Sequence, residues 1–231
     1  MGWLWMLPSL IVAGLVSVGL LGAWTRAFEP GVAWGFFLSG VLSAMASAFA
    51  LAAAGAIATT RAAPWRSTAV RAAAFPMAVM LLVIVPNLGR LNPVIHDVTT
   101  DLEDSLQFPP EVPERANEHP REDVLAAQRE GYPDVQPLIV PEPPAESFAR
   151  AQSVAGSLPN WQVLAADPQQ GLIRATATSQ LFAFVDDVVI RVRPEGTGSR
   201  IDLRSRSRMG EGDLGANAAR VRLFLDTYRN Q

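Results

Sequence analysis

Three long apolar stretches open the chain, and beyond residue 90 they give way to short runs in which apolar residues alternate with polar ones or recur at helical spacing. Trp3 to Trp24, Ala33 to Thr59 and Thr68 to Leu88 are each long enough to cross a bilayer, which takes about 20 residues. Their only charged residue is Arg71, near the entry of the third. The first stretch lacks a basic leading region and an A-x-A-like cleavage site, so it reads as an uncleaved anchor and not a signal peptide. Pro76 predicts a kink in the third span, because it removes a backbone donor and clashes with the preceding turn. Ionisable groups at mid-membrane depth mark transporters and pumps, and their absence from these spans argues against that class.

The pattern changes from Leu91 to Pro144, a Pro- and acid-rich segment in which long regular structure is blocked. Ile95, Phe108, Tyr132, Leu138 and Ile139 recur through it, which predicts a strap lying along a domain, with a short helix near Arg121 to Gly131. Residues 145–231 then read as an α+β unit. Ala145 to Leu158 carries Phe148, Ala151, Val154 and Ala155 on one helical face. Four strands follow: Trp161 to Ala166, Gly171 to Ser179, Phe182 to Pro194, and Ser199 to Ser207. In the third, Phe182, Phe184, Val188, Ile190 and Val192 share one parity and Arg191 and Arg193 the other. The fourth sets Ile201 and Leu203 opposite Arg200, Asp202, Arg204 and Arg206, with Arg208 next in phase. Asp213 is placed to cap a final helix whose Leu214, Ala218, Val221, Leu225 and Tyr228 form an apolar stripe. The predicted architecture is a membrane-anchored α+β protein: three transmembrane helices, then a soluble four-stranded antiparallel sheet packed by helices as a two-layer sandwich.

Charge sharpens the division. Of 231 residues, 19 are basic and 22 acidic, and all the basic ones are Arg. Residues 1–90 hold five Arg and one acid (Glu29), whereas the remainder holds 14 Arg and 21 acids, a net charge of −7. An acidic domain lacks the basic footprint of a nucleic-acid binder, so no nucleic-acid partner is expected. Arg61, Arg66 and Arg71 cluster around the second loop, while Arg26 in the first is accompanied by Glu29. The positive-inside rule then predicts a cytoplasmic second loop and N-terminus, and a tail on the periplasmic side of a bacterial inner membrane. Cysteine is absent, which removes disulfides, thiol catalysis and thiolate metal sites.

Four groups of residues are candidates for chemistry or recognition. Gly40, Ala44, Ala48, Ala52 and Ala56 form a small-residue stripe suited to close helix packing, either among the protein's own spans or against a partner's helix. His96, Asp97, Asp101, Glu103 and Asp104 form an acidic run that could hold a hard cation, although the alternation and central Gly of an EF-hand loop are missing; a solvated or Arg-paired turn is the competing reading. Asp186 and Asp187 point to opposite faces of their strand, Asp186 to the apolar side, where it needs an Arg such as Arg208 or Arg220 or the backbone N–H groups of the 209–213 turn, an acid/base role being the competing reading, and Asp187 toward Arg191 and Arg193. Arg191, Arg193, Arg204, Arg206 and Arg208 form a guanidinium stripe able to bind an anionic headgroup or acidic partner, or to be neutralised by the acidic strap. The sequence has no G-x-S-x-G elbow, H-E-x-x-H pair, Walker loop or dinucleotide-binding glycine fingerprint. No catalytic residue and no cofactor is expected.

IHDVTTDLEDSLQF at 95 to 108, GYPDVQPL at 131 to 138, IRATATSQLFAFVDDVVIRV at 173 to 192 and DLRSRSRMGEGDLGANAARVRLFL at 202 to 225 resemble the DUF1499 family of uncharacterised proteins. The resemblance implies no activity, but it does imply that the strap belongs to the same unit as the sheet. The expected role is that of a non-enzymatic accessory or scaffold protein facing membrane lipid and another membrane protein. A periplasmic enzyme or ligand-binding module using the acidic strap and Arg face is the alternative.

Overall fold

The computed structural model describes residues 7–57, 78, 92–112 and 121–231. Two compact units are distinguished, one of residues 1–91 with 181–183 and one of residues 92–180 with 184–231. In the first, α1 (Leu7–Trp24) and α2 (Pro30–Ile57) are helices long and apolar enough to cross a membrane. Both lie near the N-terminus, and the third predicted span, with Pro76, lies outside the described residues. Small residues let α1 and α2 approach closely. A Cβ added to Gly19 would lie 2.5 Å from the Phe37 backbone nitrogen, and one added to Gly40 would lie 2.6 Å from Val16.

The second unit is built on a six-stranded sheet, all antiparallel. Its elements are β1 (Asp97–Thr99), α3 (Arg121–Gly131), β2 (Leu138–Val140), α4 (Pro144–Ser157), β3 (Trp161–Asp167), β4 (Leu172–Thr178), β5 (Val185–Glu195), β6 (Gly198–Ser207) and α5 (Ala216–Asn230). The four long strands run β6-β5-β4-β3. The correction is at the outer edge of β6, where the strap adds two strands of three residues each. β1 pairs with Arg204–Arg206 and β2 with Ser199–Ile201, and Thr100 bridges the gap through bonds in both directions with the Leu203 backbone. Runs this short carry no readable period-2 signal. An open β6 edge would expose unpaired backbone groups, and these strap residues close it.

β1 in turn is sealed by α3. The buried Gln128 amide bonds both the N–H and the C=O of Thr99, standing in for a neighbouring strand. A further correction concerns β5, which begins at Val185 and not at Phe182. Ala183 has φ 57°, which breaks the extended run. Leu181–Ala183 group with the first unit, where the Phe182 ring lies edge-on to Trp34 at 5.1 Å.

One face of the sheet carries the core. Val188, Ile190 and Val192 of β5, Ile201 and Leu203 of β6, and Ile173 and Ala175 of β4 meet Phe148, Ala151 and Val154 of α4 and Val221, Phe224 and Leu225 of α5. Trp161 stacks on Phe224 at 6.0 Å between centroids. Pro143 and Pro144 start α4, where a missing N–H costs nothing. At the start of α5 the cap position belongs to Gly215, and Asp213 acts from two residues earlier, accepting bonds from the N–H groups of Gly215 and Asn217. That arrangement corrects the expected simple Asp cap but keeps its carboxylate at the positive helix end.

Candidate functional site

The other face of the sheet is where the charged residues converge. Strand parity places Arg191 and Arg193 of β5 beside Arg200, Asp202, Arg204 and Arg206 of β6, since Arg191 pairs across from Asp202 and Arg193 from Arg200. Like guanidiniums this close repel unless anions separate them. The strap supplies those anions after Thr100. Asp101 accepts bonds from Arg191, Arg193 and Arg200 at 3.2, 3.0 and 2.7 Å. Asp104 receives Arg191 at 2.9 Å and Arg193 at 3.2 Å. From within the sheet, Asp202 meets the same three Arg at 2.8 to 3.3 Å. Three guanidiniums and three carboxylates thus close on one another. Asp202 is fully buried and the Asp101 side chain is 6% exposed, whereas Asp104 is 66% exposed.

The strap holds Asp101 in place by a tight turn, with the N–H groups of Glu103 and Asp104 donating to its Oδ1. Burial pushes the Asp101 carboxyl up, but the Asp104 N–H, Arg200, the Glu103 N–H and Arg193 together outweigh it, so its pKa lies below the ordinary value. Arg200 is held more firmly charged than usual, its desolvation being overcome by Asp202 and Asp101.

Farther along the same face, Asp97 holds the buried Arg204 through both oxygens, and Arg204 also donates to the Leu106 carbonyl at 2.6 Å. Phe108 lies under two cations, with Arg204 and Arg206 at 4.6 and 4.4 Å from its centroid. Arg208 makes a bidentate pair with Asp187, and this places Asp187 with Arg208 where the sequence pointed to Arg191 and Arg193. Asp186 faces the helices and is held by Arg220, one of the two Arg proposed for it.

The acidic run does not form a metal cage. Asp97 and Asp101 are separately engaged by Arg, His96 places Nδ1 3.4 Å from the Glu211 carbonyl, and no metal-holding group of three His or carboxylates occurs among the described residues. In the small-residue stripe, Gly40, Ala44 and Ala48 are buried, and Gly40 faces Val16 of the protein's own α1. Ala52 and Ala56 lie in α2, but their side chains are outside the description.

Two features escaped the sequence. Asn217, fully buried on α5, accepts from Ser205 and Arg220 and donates to the His96 carbonyl and Ser207. Its signal was positional: Asn217, Val221, Phe224 and Tyr228 share a helical face, so a polar group there needs partners. The second is a cavity of about 370 Å³ beside the ion cluster, lined by Arg129, Arg193, Arg200, Asp101, Glu103 and Asp104 among others. Only the fold brings α3 and the strap turn together around it.

The family described as "Protein of unknown function (DUF1499)" matches residues 98–227, from β1 through most of α5. No curated protein and no solved structure matches the chain.

Proposed function

The chain belongs to the DUF1499 family, and from that premise we propose that it is a non-enzymatic accessory protein of the bacterial inner membrane that presents its α+β unit, on the periplasmic side, to a membrane-protein partner. The observation that carries this reading is the engagement of the Arg face by the protein's own strap. Arg191, Arg193, Arg200 and Arg204 spend their charge on Asp97, Asp101, Asp104 and Asp202, so these charges are satisfied within the unit and are not left open for a substrate. The apolar α1 and α2 support the anchor, and Arg61, Arg66 and Arg71 support a cytoplasmic second loop. The test is purification of the full chain in mild detergent together with a topology reporter fused after Gln231. A membrane protein recovered in stoichiometric amount and a reporter active only outside the cytosol are expected. A lone monomer, or a reporter active in the cytosol, overturns the reading.

A ligand-binding module is the second reading, favoured by the cavity at Arg129. Arg129 lines it at the last turn of α3 and makes no ion pair among the described residues, so a small anion would find a cation there, next to Arg193 and Arg200. Titration of the detergent-solubilised chain with inorganic phosphate tests it: heat of binding that vanishes in Arg129→Ala supports a ligand site, and no heat in the natural chain removes it.

A further inference from the structure

One end of the sheet differs from the other. At the far end, the β3-β4 connection is Asp167-Pro168-Gln169-Gln170-Gly171 and the β5-β6 turn is Glu195-Gly196-Thr197-Gly198, all without a large apolar side chain. At the near end, residues 92–96 and 208–215 come together. Ser207 donates to the His96 carbonyl, Arg208 to Val185 and Asp213 to Ile95, while the Asn92 side chain donates to the Leu214 carbonyl. Here Val94 is 73% and Leu214 71% exposed, the two most exposed large apolar side chains among the described residues of this unit, and Met209 is 50% exposed. Val94 packs beside Gly212, where an added Cβ would sit 3.1 Å from its Cγ1, so its side chain and the 209–214 loop form one patch.

The loop is also held in an unusual shape. Leu214 has φ 53°, a left-handed conformation unfavourable for leucine, and Gly210 and Gly215 flank it at φ 88° and 85°. Bonds from Asn92 and to Asp213 fix this backbone and turn an apolar side chain into solvent. A strained, fixed, outward-pointing leucine is a feature to be explained by what it touches.

We propose that Val94, Met209 and Leu214 form a lipid-contacting tip that inserts into the boundary of the same bilayer that holds the anchor. The inference rests on the anchor reading above and deepens it. Covalent reach selects the occupant: Val94 lies six residues beyond Leu88, the end of the third predicted span, and six extended residues cover about 20 Å. Val94 therefore stays within that distance of the end of that predicted span. Apolar contact and not charge is the driving term, because the chain beyond Arg90 is net acidic at −7 and Glu211 lies in the loop itself. Insertion is accordingly insensitive to salt, unlike Arg-mediated docking on anionic headgroups.

The absence of cysteine makes the test direct. Val94→Cys, Met209→Cys and Leu214→Cys, each nitroxide-labelled, are reconstituted as full chains in phosphatidylcholine and phosphatidylglycerol vesicles, with Leu10→Cys on α1 and Gln169→Cys at the far end as references. The ratio of collisions with oxygen to collisions with a nickel chelate is expected to be several-fold higher at 94, 209 and 214 than at 169, and unchanged at high salt. If those three sites match Gln169→Cys while Leu10→Cys reports lipid, the tip is overturned and the anchor stands. If Leu10→Cys also reports water, the anchor reading fails first.

Discussion

The two faces of the sheet are covered in opposite ways. On the helix side, Ile190, Ile201 and Leu203 meet Phe148, Val221 and Phe224, and water is excluded by apolar area. On the strap side, Arg191, Arg193, Arg200 and Arg204 meet Asp97, Asp101, Asp104 and Asp202, and water is displaced from charges that then need one another. β6 contributes to both with neighbouring residues, Ile201 and Leu203 to one and Asp202 and Arg204 to the other. Apolar packing degrades by increments as atoms are removed, whereas a buried ion pair is self-contained: losing half of it strands the other half, and losing both can cost little.

The largest effects test that asymmetry. Phe224→Ala opens a cavity beneath Trp161 and Tyr228 and is expected to cost about 3–5 kcal/mol. Asp97→Ala leaves Arg204, 5% exposed, without its carboxylate and is expected to cost a similar 3–5 kcal/mol. The double replacement Asp97→Leu with Arg204→Met separates the two, because it removes both charges and should recover most of the loss. Thermal unfolding of the three variants, followed by Trp fluorescence, checks this. A double variant as unstable as Asp97→Ala would mean that the pair contributes more than mutual neutralisation.

A change of pH is the next lever, and on the strap face it acts through Asp101. The Asp101 carboxyl titrates lower in the folded protein than in the unfolded chain, so the unfolded state takes up protons first as the solution is acidified. Its contribution is therefore present in full above about pH 5 and is withdrawn as the pH falls through the ordinary aspartate value of about 3.9 and then the lower folded one. Asp101→Asn should lower stability at neutral pH and flatten the loss between about pH 5 and 3. An acid limb of unchanged steepness in Asp101→Asn would assign the acid sensitivity to other carboxylates.

How much of this was legible follows from the same asymmetry. Period-2 alternation in β5 and β6 and the helical stripe of α5 from Ala218 to Tyr228 were readable because they record the apolar core directly, whereas Leu214, expected in that stripe, precedes the helix and points into solvent. The parity of Arg191 and Arg193 was readable too, but what covers them was not. Alternating Arg and Ile looks the same in sequence whether the polar face meets water or a strap, and the pairing of Asp101 with three Arg spans about 90 to 100 positions of chain. β1 and β2 were missed because strands of three residues draw their definition from β6 and not from their own pattern. Phe182 was misassigned because its parity matches β5, and only the left-handed Ala183 shows where the strand ends. For Asp186 the sequence demands a partner, since a carboxylate among valines needs one, but leaves Arg208, Arg220 and the backbone of the 209–213 turn open; only the fold selects Arg220.

The smallest effect marks where the strap-face logic stops. Arg222 and Asp134 also form a bidentate pair, at 2.6 and 2.7 Å, with better geometry than most contacts in the ion cluster. Their side chains are 39% and 57% exposed, however, so water already solvates each charge and removing one strands nothing. The Arg222 bond is the main reason that the Asp134 carboxyl titrates below its ordinary value, but exposure screens the energetic consequence. Asp134→Ala is expected to cost about 0.2–1 kcal/mol, shrinking further at high salt, and to shift the melting temperature by no more than a few degrees. A loss comparable to that of Asp97→Ala would show that geometry, and not burial, sets the worth of these Arg–Asp pairs. The contrast between the two faces of the sheet would then need a different cause.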